Sequence, residues 1–248
     1  MTGIYRNRTA SVFGVPFFSG TMDEALQTID ELIKSKKSHH AAFINAHCLN
    51  IAYKDEAYKK VLKDASVVFA DGIGAKIGAA MLGTKVEENV NGTDMFPLLA
   101  QRPYRIYLLG GSPEVAKTAL EKSRAIGGKA EFVGCADGFF KEKSEADVLS
   151  ELAELKPDLL LVAMGVPKQE MWINHNLSHL PDCTAIGVGG LLDFVSERIP
   201  RAPLWMRKCN IEWCFRLYQE PTRLFKRYII GNPLFIARVF QSKLWRKK

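Results

Sequence analysis

Asp71 is the residue in this sequence whose surroundings best suit a general base. It follows the apolar run Val67–Ala70 and precedes Gly72, so its carboxylate would leave a buried strand beside a residue without a side chain. A carboxylate in such a place can accept a proton from a substrate hydroxyl. An aspartate there can equally cap the helix that follows it, and the spacing alone leaves both roles open.

Two other groups of polar residues follow apolar runs in the same manner. Asn45 ends a short apolar run, and His47 comes two residues later. Lys168 and Gln169 come after a glycine and a proline that follow the run Leu159–Ala163. From such positions Lys168 and Gln169 could hydrogen-bond a base, a ribose or a phosphate. The plainer interpretations are an exposed polar helix start and, for His47, a helix-start histidine without a catalytic role.

Two glycine-rich turns could bring the backbone close to a ligand. Gly110 and Gly111, followed by Ser112 and Pro113, have the composition of a helix start with exposed N–H groups, where a diphosphate could bind. The second turn is GVGG at positions 187–190. Many such turns bind nothing. The dinucleotide fingerprint GxGxxG is missing, so the sequence gives little support to a nicotinamide-dependent enzyme.

Metal and nucleophile motifs are missing from the sequence. It contains no HExxH, DxD or GxxxxGK[ST] motif, and no serine, histidine and aspartate can be read as a triad. His39 and His40 follow a lysine-rich helix end and are predicted to be solvated. The five cysteines have no CxxC spacing, which indicates reduced thiols, mostly in the core. No motif therefore supports a zinc site, another metal or a cofactor.

The elements that must position these residues alternate along the chain. Short apolar runs and helix-like stretches follow one another, which predicts an α/β fold with a mainly parallel, Rossmann-like sheet and helices on both faces. Ligands of such sheets bind at the carboxyl ends of the strands, where the polar residues described above fall. The predicted strands are Ala42–Asn45, Val67–Ala70, Arg105–Gly110, Glu131–Gly134, Asp158–Gly165 and Thr184–Val188. The predicted helices are Met22–Ser35, Cys48–Lys63, Ile73–Leu82, Thr93–Gln101, Pro113–Ile126, Ser144–Leu155 and Pro167–Asn176.

Charge divides the 248 residues into two unequal parts. The net charge is +7, yet residues 198–248 hold thirteen Lys or Arg against two acidic residues, which leaves the first 197 residues slightly acidic. Three of the four tryptophans also lie after position 197. We therefore predict an α/β domain over residues 1–197 and a helical, basic C-terminal appendage over residues 198–248.

A basic segment rich in apolar side chains suits an anionic partner. Residues 221–248 read PTRLFKRYIIGNPLFIARVFQSKLWRKK, in which many of the apolar residues are aliphatic. Aliphatic side chains cannot stack on bases, so an anionic membrane surface is favoured over nucleic acid. Packing of the segment on the domain core, or a homo-oligomer interface, remains an alternative.

The chain is predicted to stay in the cytoplasm. Its longest stretch without Asp, Glu, Lys or Arg is residues 38–53, which is too short and too polar to span a bilayer. The N-terminus lacks the long apolar core and the cleavage site of a secretory signal.

Four blocks of sequence carry a resemblance to a known family. They lie in order between Phe43 and Tyr228, and the chain resembles the WecG/TagA/CpsF glycosyltransferases, family twenty-six of the sugar transferases. The blocks are FINAHCLNIAYKDEAYKKVL, then VVFADGIG with NGTD, then PDLLLVAMGVPKQEMWI, and finally GVGGLLDF with RIPRAPLWMRKCNIEWCFRLYQEPTRLFKRY.

The resemblance implies a reaction and a location. It implies an inverting, metal-independent transfer from a UDP-sugar to a sugar carried on undecaprenyl diphosphate, at the cytoplasmic face of the membrane. N-acetylmannosamine, its uronic acid and glucose are all donors within the family. The resemblance also implies that the C-terminal appendage contacts the membrane and helps to close the site. A non-catalytic nucleotide-binding or scaffold protein of the same fold is the alternative.

The resemblance also assigns roles to particular residues. Asp71 matches the aspartate proposed as general base for the acceptor hydroxyl. The residues matched to the donor side are Asn45, Asn91, Asp94 and Gln169, together with Gly92. The basic positions that could neutralise the diphosphate of donor or lipid are Arg216, Arg223 and Arg227.

The sequence departs from the family pattern in two places. Asn89 stands where many relatives carry arginine, and the lost charge could alter the choice of donor. The segment CADGFF at positions 135–140 lacks the histidine or tyrosine expected there, and its Asp137-Gly138 pair is predicted to form a tight turn without a chemical role.

Overall fold

A single sheet organises the part of the chain that the computed structural model describes, residues 8–209 and 211–245. Within these residues eight strands join in the order β1-β2-β4-β3-β8-β7-β5-β6. The β1–β2 pair is antiparallel, and the other neighbouring pairs are parallel. The strands are β1 Thr9–Val12, β2 Val15–Phe18, β3 His39–Ile44, β4 Val67–Ala70, β5 Arg105–Gly110, β6 Glu131–Ala136, β7 Leu159–Ala163 and β8 Thr184–Gly187.

Helices cover both faces of the sheet. The helices of the α/β body are α1 Met22–Lys34, α2 Ala46–Ala52, α3 Glu56–Asp64, α4 Ile73–Met81, α5 Gly92–Ala100, α6 Pro113–Ala125, α7 Glu145–Leu155, α8 Lys168–Asn176 and α9 Leu191–Val195. One core lies under α1, α5, α6 and α9, and the opposite face carries α2, α3 and α4 at one end and α7 and α8 at the other. Alternate residues of β5 serve the two faces, since Ile106 and Leu108 point one way and Tyr107 and Leu109 the other. The predicted fold class is confirmed.

The amino-terminal hairpin was not predicted. β1 and β2 are joined by Phe13 and Gly14, which both have positive φ, as two-residue hairpin turns require. Phenylalanine rarely occupies such a turn, so no turn signal marks it in the sequence. The ring of Phe13 packs edge-on against Tyr53 and Phe235, and these contacts hold the turn.

Two sequence predictions in the first βα unit were wrong. The single helix predicted over Cys48–Lys63 is two helices, α2 and α3, because Asp55 caps a new helix by accepting a hydrogen bond from the Tyr58 N–H at 3.0 Å. His39 and His40 are buried in β3 instead of solvated. His39 bonds the hydroxyls of two serines, whereas burial alone lowers the pKa of His40 to about 4 and keeps it neutral.

The C-terminal appendage is a chain of helices packed on the body. Its elements are α10 Leu204–Lys208, α11 Glu212–Gln219, α12 Pro221–Phe225, a π-helical turn Lys226–Ile230 and α13 Gly231–Trp245. Helix α13 lies on α2 and α4 and buries Phe235 against Gly78. Arg238 donates to the Asn50 side chain at 2.7 Å and lies over the ring of Tyr53. The opposite side of α13 is exposed.

Candidate functional site

A cleft opens at the carboxyl ends of four adjacent strands, β4, β3, β8 and β7. It has two adjoining chambers, which we call the large chamber, of about 700 Å³, and the small chamber, of about 360 Å³. The adjacent strands β3 and β8 lead to helices on opposite faces of the sheet, α2 and α9, so the cleft lies at a switch point between their ends. Both chambers are lined by Asn45, His47, Asp71, Thr93, Phe194, Arg216 and Arg227.

Asp71 lies half-buried where the chambers meet. Its backbone N–H donates to the Ile44 carbonyl at 2.7 Å, which fixes the residue at the end of β4. The N-cap residue of helix α4 is Gly72, with φ +87° and no side-chain capping bond, so Asp71 is not a helix cap. Among the residues that the structure describes, none donates a hydrogen bond to the Asp71 carboxylate. The carboxylate is therefore free to accept from a substrate.

Opposing effects set the ionisation of Asp71. Burial raises the pKa of the carboxyl to about 6, against a usual value near 4. The charges of Arg227 and Arg216 lower the pKa by favouring the carboxylate. The negative charges of Glu212 and Asp94 raise it, as burial does. A carboxyl of this pKa is ionised at neutral pH, yet it is basic enough to take a proton during a reaction.

Arg216 and Arg227 reach the cleft from the appendage. The Arg216 guanidinium lies 5.1 Å from the centre of the Phe194 ring, and that of Arg227 lies 5.4 Å from the centre of the Tyr228 ring. Within residues 8–209 and 211–245, no carboxylate forms an ion pair with either guanidinium, and neither Nε has a hydrogen-bond partner. Two cations without a protein anion make this wall of the cleft suited to a phosphate group.

The remaining predicted basic and amide residues divide between binding and structure. Arg223 lines the large chamber and is paired with Glu220, the residue that precedes its helix. Asn45 lines both chambers, while its side-chain oxygen caps α2 by accepting from the N–H groups of His47 at 3.0 Å and Cys48 at 3.2 Å. In the part of the chain described, its amide nitrogen has no protein acceptor and can serve a ligand.

Asn91 and Asp94 lie together at the start of α5. Asn91 caps the helix through the Asp94 N–H at 2.8 Å and lines the small chamber. Asp94 does not line either chamber; it forms ion pairs with Arg201 at 2.9 Å and Arg207 at 3.8 Å. Asp94 therefore fastens the start of the appendage to the body.

Gln169 lines the large chamber, but the polar atoms of its side chain are bonded to the protein. Its side-chain oxygen accepts from the N–H groups of Gly165 and Gly189, and its nitrogen donates to Glu170. Lys168, the other residue predicted to be able to bind a ligand from this turn, donates to the Gly138 carbonyl at 2.8 Å. Neither side chain extends freely into the cleft.

The glycine turn after β5 is not part of the cleft. Gly110 lies so close to β7 that a Cβ there would come within 2.4 Å of the Ala163 carbonyl oxygen, and the Gly111 carbonyl accepts from the Gly138 N–H at 3.0 Å. Gly110 and Gly111 line neither chamber, so the geometry does not bring the predicted diphosphate-binding turn to Asp71. The tight turn predicted at Asp137 is confirmed, since its carboxylate accepts from three backbone N–H groups.

Several cleft residues were not selected from the sequence. Lys54 and Arg238 line the large chamber, and Glu212, Trp213 and Tyr228 line the small one. The basic and aromatic composition of the tail was a signal for Arg238, Trp213 and Tyr228, but nothing in the spacing indicates which tail residues turn inward. Across the residues described, no three His, Cys, Asp or Glu side chains are grouped as a metal site would require.

A carboxylate beside unpaired arginines, at a switch point of a parallel sheet, defines an α/β protein suited to phosphorylated ligands. The chain belongs to the "Glycosyl transferase WecG/TagA/CpsF family", whose family model matches residues 10–248. It is a glycosyltransferase. The resemblance inferred from the four sequence blocks is confirmed.

Two curated relatives are both named N-acetylglucosaminyldiphosphoundecaprenol N-acetyl-beta-D-mannosaminyltransferase. The Bacillus subtilis (strain 168) protein is 28% identical over 246 residues, which cover 97% of this chain and 94% of the relative. The Bacillus spizizenii (strain W23) protein is 30% identical over 197 residues, which cover 77% of this chain and 75% of the relative. In the helices described for residues 8–209 and 211–245, no segment has the length and apolar character that crossing a membrane requires.

The raised pKa of Asp71 predicts a pH-dependent change in stability for Asp71→Asn. The folded carboxyl binds its proton more tightly than the unfolded one, so the free energy of unfolding falls as the pH rises from about 4 to about 6 and stays at the lower value above that. We expect the variant to gain about 1–3 kcal/mol at pH 8. The gain should shrink between pH 6 and 4, where the wild-type carboxyl becomes protonated in both states. Urea unfolding at pH 4, 6 and 8 measures this, and a gain equal at all three values would contradict it.

Proposed function

We propose that this protein transfers a sugar from a UDP-sugar to a sugar linked to undecaprenyl diphosphate, with inversion and without a metal. N-acetylmannosamine, its uronic acid and glucose are the candidate donors. The observation that carries the proposal is the free carboxylate of Asp71 facing the unpaired guanidinium groups of Arg216 and Arg227 across one cleft. The carboxylate can take a proton while the arginines stabilise a leaving diphosphate.

The relatives support the acceptor and suggest the donor sugar. Both are named for transfer of a β-linked N-acetylmannosaminyl group to N-acetylglucosaminyl-diphosphoundecaprenol. UDP-sugars carry an α-linked sugar, so a β-linked product corresponds to inversion. N-acetylmannosamine is accordingly the first donor to test, and the acceptor is a sugar on a lipid diphosphate used in polysaccharide synthesis.

A single displacement accounts for the reaction. Asp71 accepts the proton of the acceptor hydroxyl, whose oxygen attacks the anomeric carbon of the donor from the face opposite UDP. The bond between the anomeric carbon and the β-phosphate oxygen breaks, and UDP leaves as an anion. Arg216 and Arg227, with Arg223 at the edge of the large chamber, supply the positive charge that stabilises the departing diphosphate.

The two chambers suit the two substrates. The large chamber ends on the glycine turns after β7 and β8, where backbone can approach a nucleotide, and it carries the cations Lys54 and Arg223. The small chamber carries the aliphatic and aromatic side chains of Ile77, Trp213 and Ile236 and opens beside α13. We place the UDP-sugar in the large chamber and the lipid-linked sugar in the small one.

The exposed side of α13 fits a peripheral contact with an anionic membrane at its cytoplasmic face. Phe235 and Val239 are buried on the body, whereas Phe240 and Leu244, spaced four residues apart, are exposed on the other side. Ile236, one turn earlier, is partly exposed where it borders the small chamber. Phe240 has 55% of its surface exposed and Trp245 has 76%. An apolar stripe beside basic residues is the arrangement that interfacial helices use, and a lipid-linked acceptor would be held at the same surface.

The experiment that tests the function is a panel of UDP-sugars incubated with a short-chain lipid-diphosphate N-acetylglucosamine, with products read by mass. We expect one added sugar for the full-length protein. Asp71→Asn should fold normally and lose about 10²–10⁴-fold of the transfer rate, because an amide cannot accept the proton.

The matched control is Asp94→Asn, which makes the same chemical change at a carboxylate that lies outside the chambers. Its effect should be smaller than that of Asp71→Asn. Full activity of Asp71→Asn would remove the residue from the role of base. Binding of UDP-sugars without turnover of any lipid-linked acceptor would favour a nucleotide-binding scaffold instead.

Phe240 and Leu244 of α13 are the side chains expected to enter the membrane surface. The double variant Phe240→Ser with Leu244→Ser should bind anionic vesicles about 10-fold or more weakly, because two exposed apolar side chains no longer enter the interface. Phe139→Ser with Ile126→Ser removes an equally exposed phenylalanine and aliphatic residue from another part of the surface, and it should bind as the wild type does. Vesicle co-sedimentation measures both. Equal binding by all three proteins would place the contact elsewhere.

A further inference from the structure

Gln169 joins the turns that follow two neighbouring strands. Its side-chain oxygen accepts a hydrogen bond from the Gly165 N–H at 3.2 Å, after β7, and another from the Gly189 N–H at 3.0 Å, after β8. Gly165 and Gly189 both line the large chamber. The Gln169 side chain is only 1% exposed, and both lone pairs of its oxygen are occupied by the protein. The Gln169 amide therefore holds in place backbone that forms part of the chamber wall.

This arrangement requires one orientation of the Gln169 amide. Two backbone donors face the oxygen, so a rotation that exchanged oxygen and nitrogen would set N–H groups against N–H groups. Glu170 selects the orientation, because its Oε1 accepts from the Gln169 Nε2 at 2.7 Å. A carboxyl protonated on Oε2 still accepts through Oε1, so the orientation is kept in either protonation state.

Glu170 occupies a place that is unfavourable for a carboxyl group. It is 0% exposed, and its Oε2 has no hydrogen-bond partner among the residues described. Burial raises the pKa of Glu170 to about 7. A buried polar atom without a partner lowers stability, so an apolar side chain of similar size would stabilise the fold better here. The carboxyl group thus needs an explanation other than stability.

The neighbouring strand leaves room for this pair. A Cβ at Gly187 of β8 would lie 2.8 Å from the Gln169 Nε2 and 3.1 Å from the Glu170 Oε1. Glycine at this position therefore admits the two polar side chains beneath the strand end. Gly187 thus makes room for Glu170 and Gln169, Glu170 accepts from Gln169, and Gln169 accepts from the backbone of two turns in the large chamber.

We propose that Glu170 and Gln169 are positioning residues: Glu170 orients the Gln169 amide, and that amide fixes the Gly165 and Gly189 turns against which the donor nucleotide binds. Glu170 lines neither chamber, so its effect on the turns passes through Gln169. The statement that the donor nucleotide binds against these turns rests on the proposed function. The effect of Glu170 on the position of the turns does not.

The test compares Glu170→Met with Glu170→Gln. Methionine has a similar length and no acceptor, and glutamine keeps an acceptor oxygen while it removes the charge. Amide hydrogen exchange of Gly165 and Gly189, followed by NMR of glycine-labelled full-length protein, reports on the turns without any substrate. We expect Glu170→Met to unfold at no lower urea concentration than the wild type at pH 8. Its two glycine amides should exchange about 10-fold faster or more.

Kinetics with the UDP-sugar that the wild type uses complete the test. Glu170→Met should raise the donor KM by about 10–100-fold and change kcat far less, because the turns still form but are no longer held in place. Glu170→Gln should restore both the slow exchange and the wild-type KM. Equal exchange of the glycine amides in all three proteins would overturn the proposal, as would equal impairment of the two variants.

The two proposals fail in distinguishable ways. If the wild type turns over no UDP-sugar, the exchange measurement still decides whether Glu170 holds the turns. Fast exchange in Glu170→Met with slow exchange in Glu170→Gln would then support the positioning role and reject only the proposed reaction.

Discussion

The apposition of one carboxylate and two guanidinium groups is the interaction on which the site depends. Asp71 belongs to the α/β body, and Arg216 and Arg227 belong to the appendage, so the site exists only when the two parts are packed together. That packing has its own specific contacts. Phe235 fills the space beside Gly78, Arg238 bonds Asn50, and the ion pair between Arg201 and Asp94 fastens the first part of the appendage.

The same apposition explains how a half-buried carboxylate can be useful. Burial alone would hold Asp71 protonated over more of the pH range, and full exposure to the arginines would leave it too weak a base. The balance gives a pKa of about 6. A bound diphosphate would compete for the two arginines and so weaken their effect on Asp71. Binding of the donor would thereby make the carboxylate a stronger base.

The fold could be predicted from the sequence because its signals are local. Continuous apolar runs such as Leu159–Ala163 mark strands buried on both faces, and Asp71 was selected because a strand end followed by glycine places it at the sheet edge. The hairpin at Phe13 was missed because tertiary contacts, and not turn residues, hold it. His40 was misjudged because the adjacent lysines suggested solvent, whereas strand pairing carries it into the core.

The site was less predictable because it depends on which side chains turn inward. The Gly110-Gly111 turn has the composition of a phosphate site, but β5 lies beyond β7 in the sheet and leaves the turn outside the cleft. Gln169 was expected at the donor, and it lines the large chamber, but its amide is bonded to the backbone of two turns and to Glu170. The order of the strands and the packing of the appendage on the body are tertiary features, which a pattern within one stretch of the sequence does not predict.

The measurement that tests the central claim most directly is the pH dependence of kcat/KM for the wild type and for Arg227→Met. This ratio reports the ionisation of the free enzyme, so its acid limb should fall near pH 6, where Asp71 titrates, and away from the pKa of about 4 that burial gives His47. Loss of the Arg227 cation raises the pKa of the Asp71 carboxyl, so the acid limb should shift to higher pH by about one unit. This shift is expected however much the maximal kcat/KM falls. An acid limb at the same pH in both proteins would contradict the coupling between the body carboxylate and the appendage arginines.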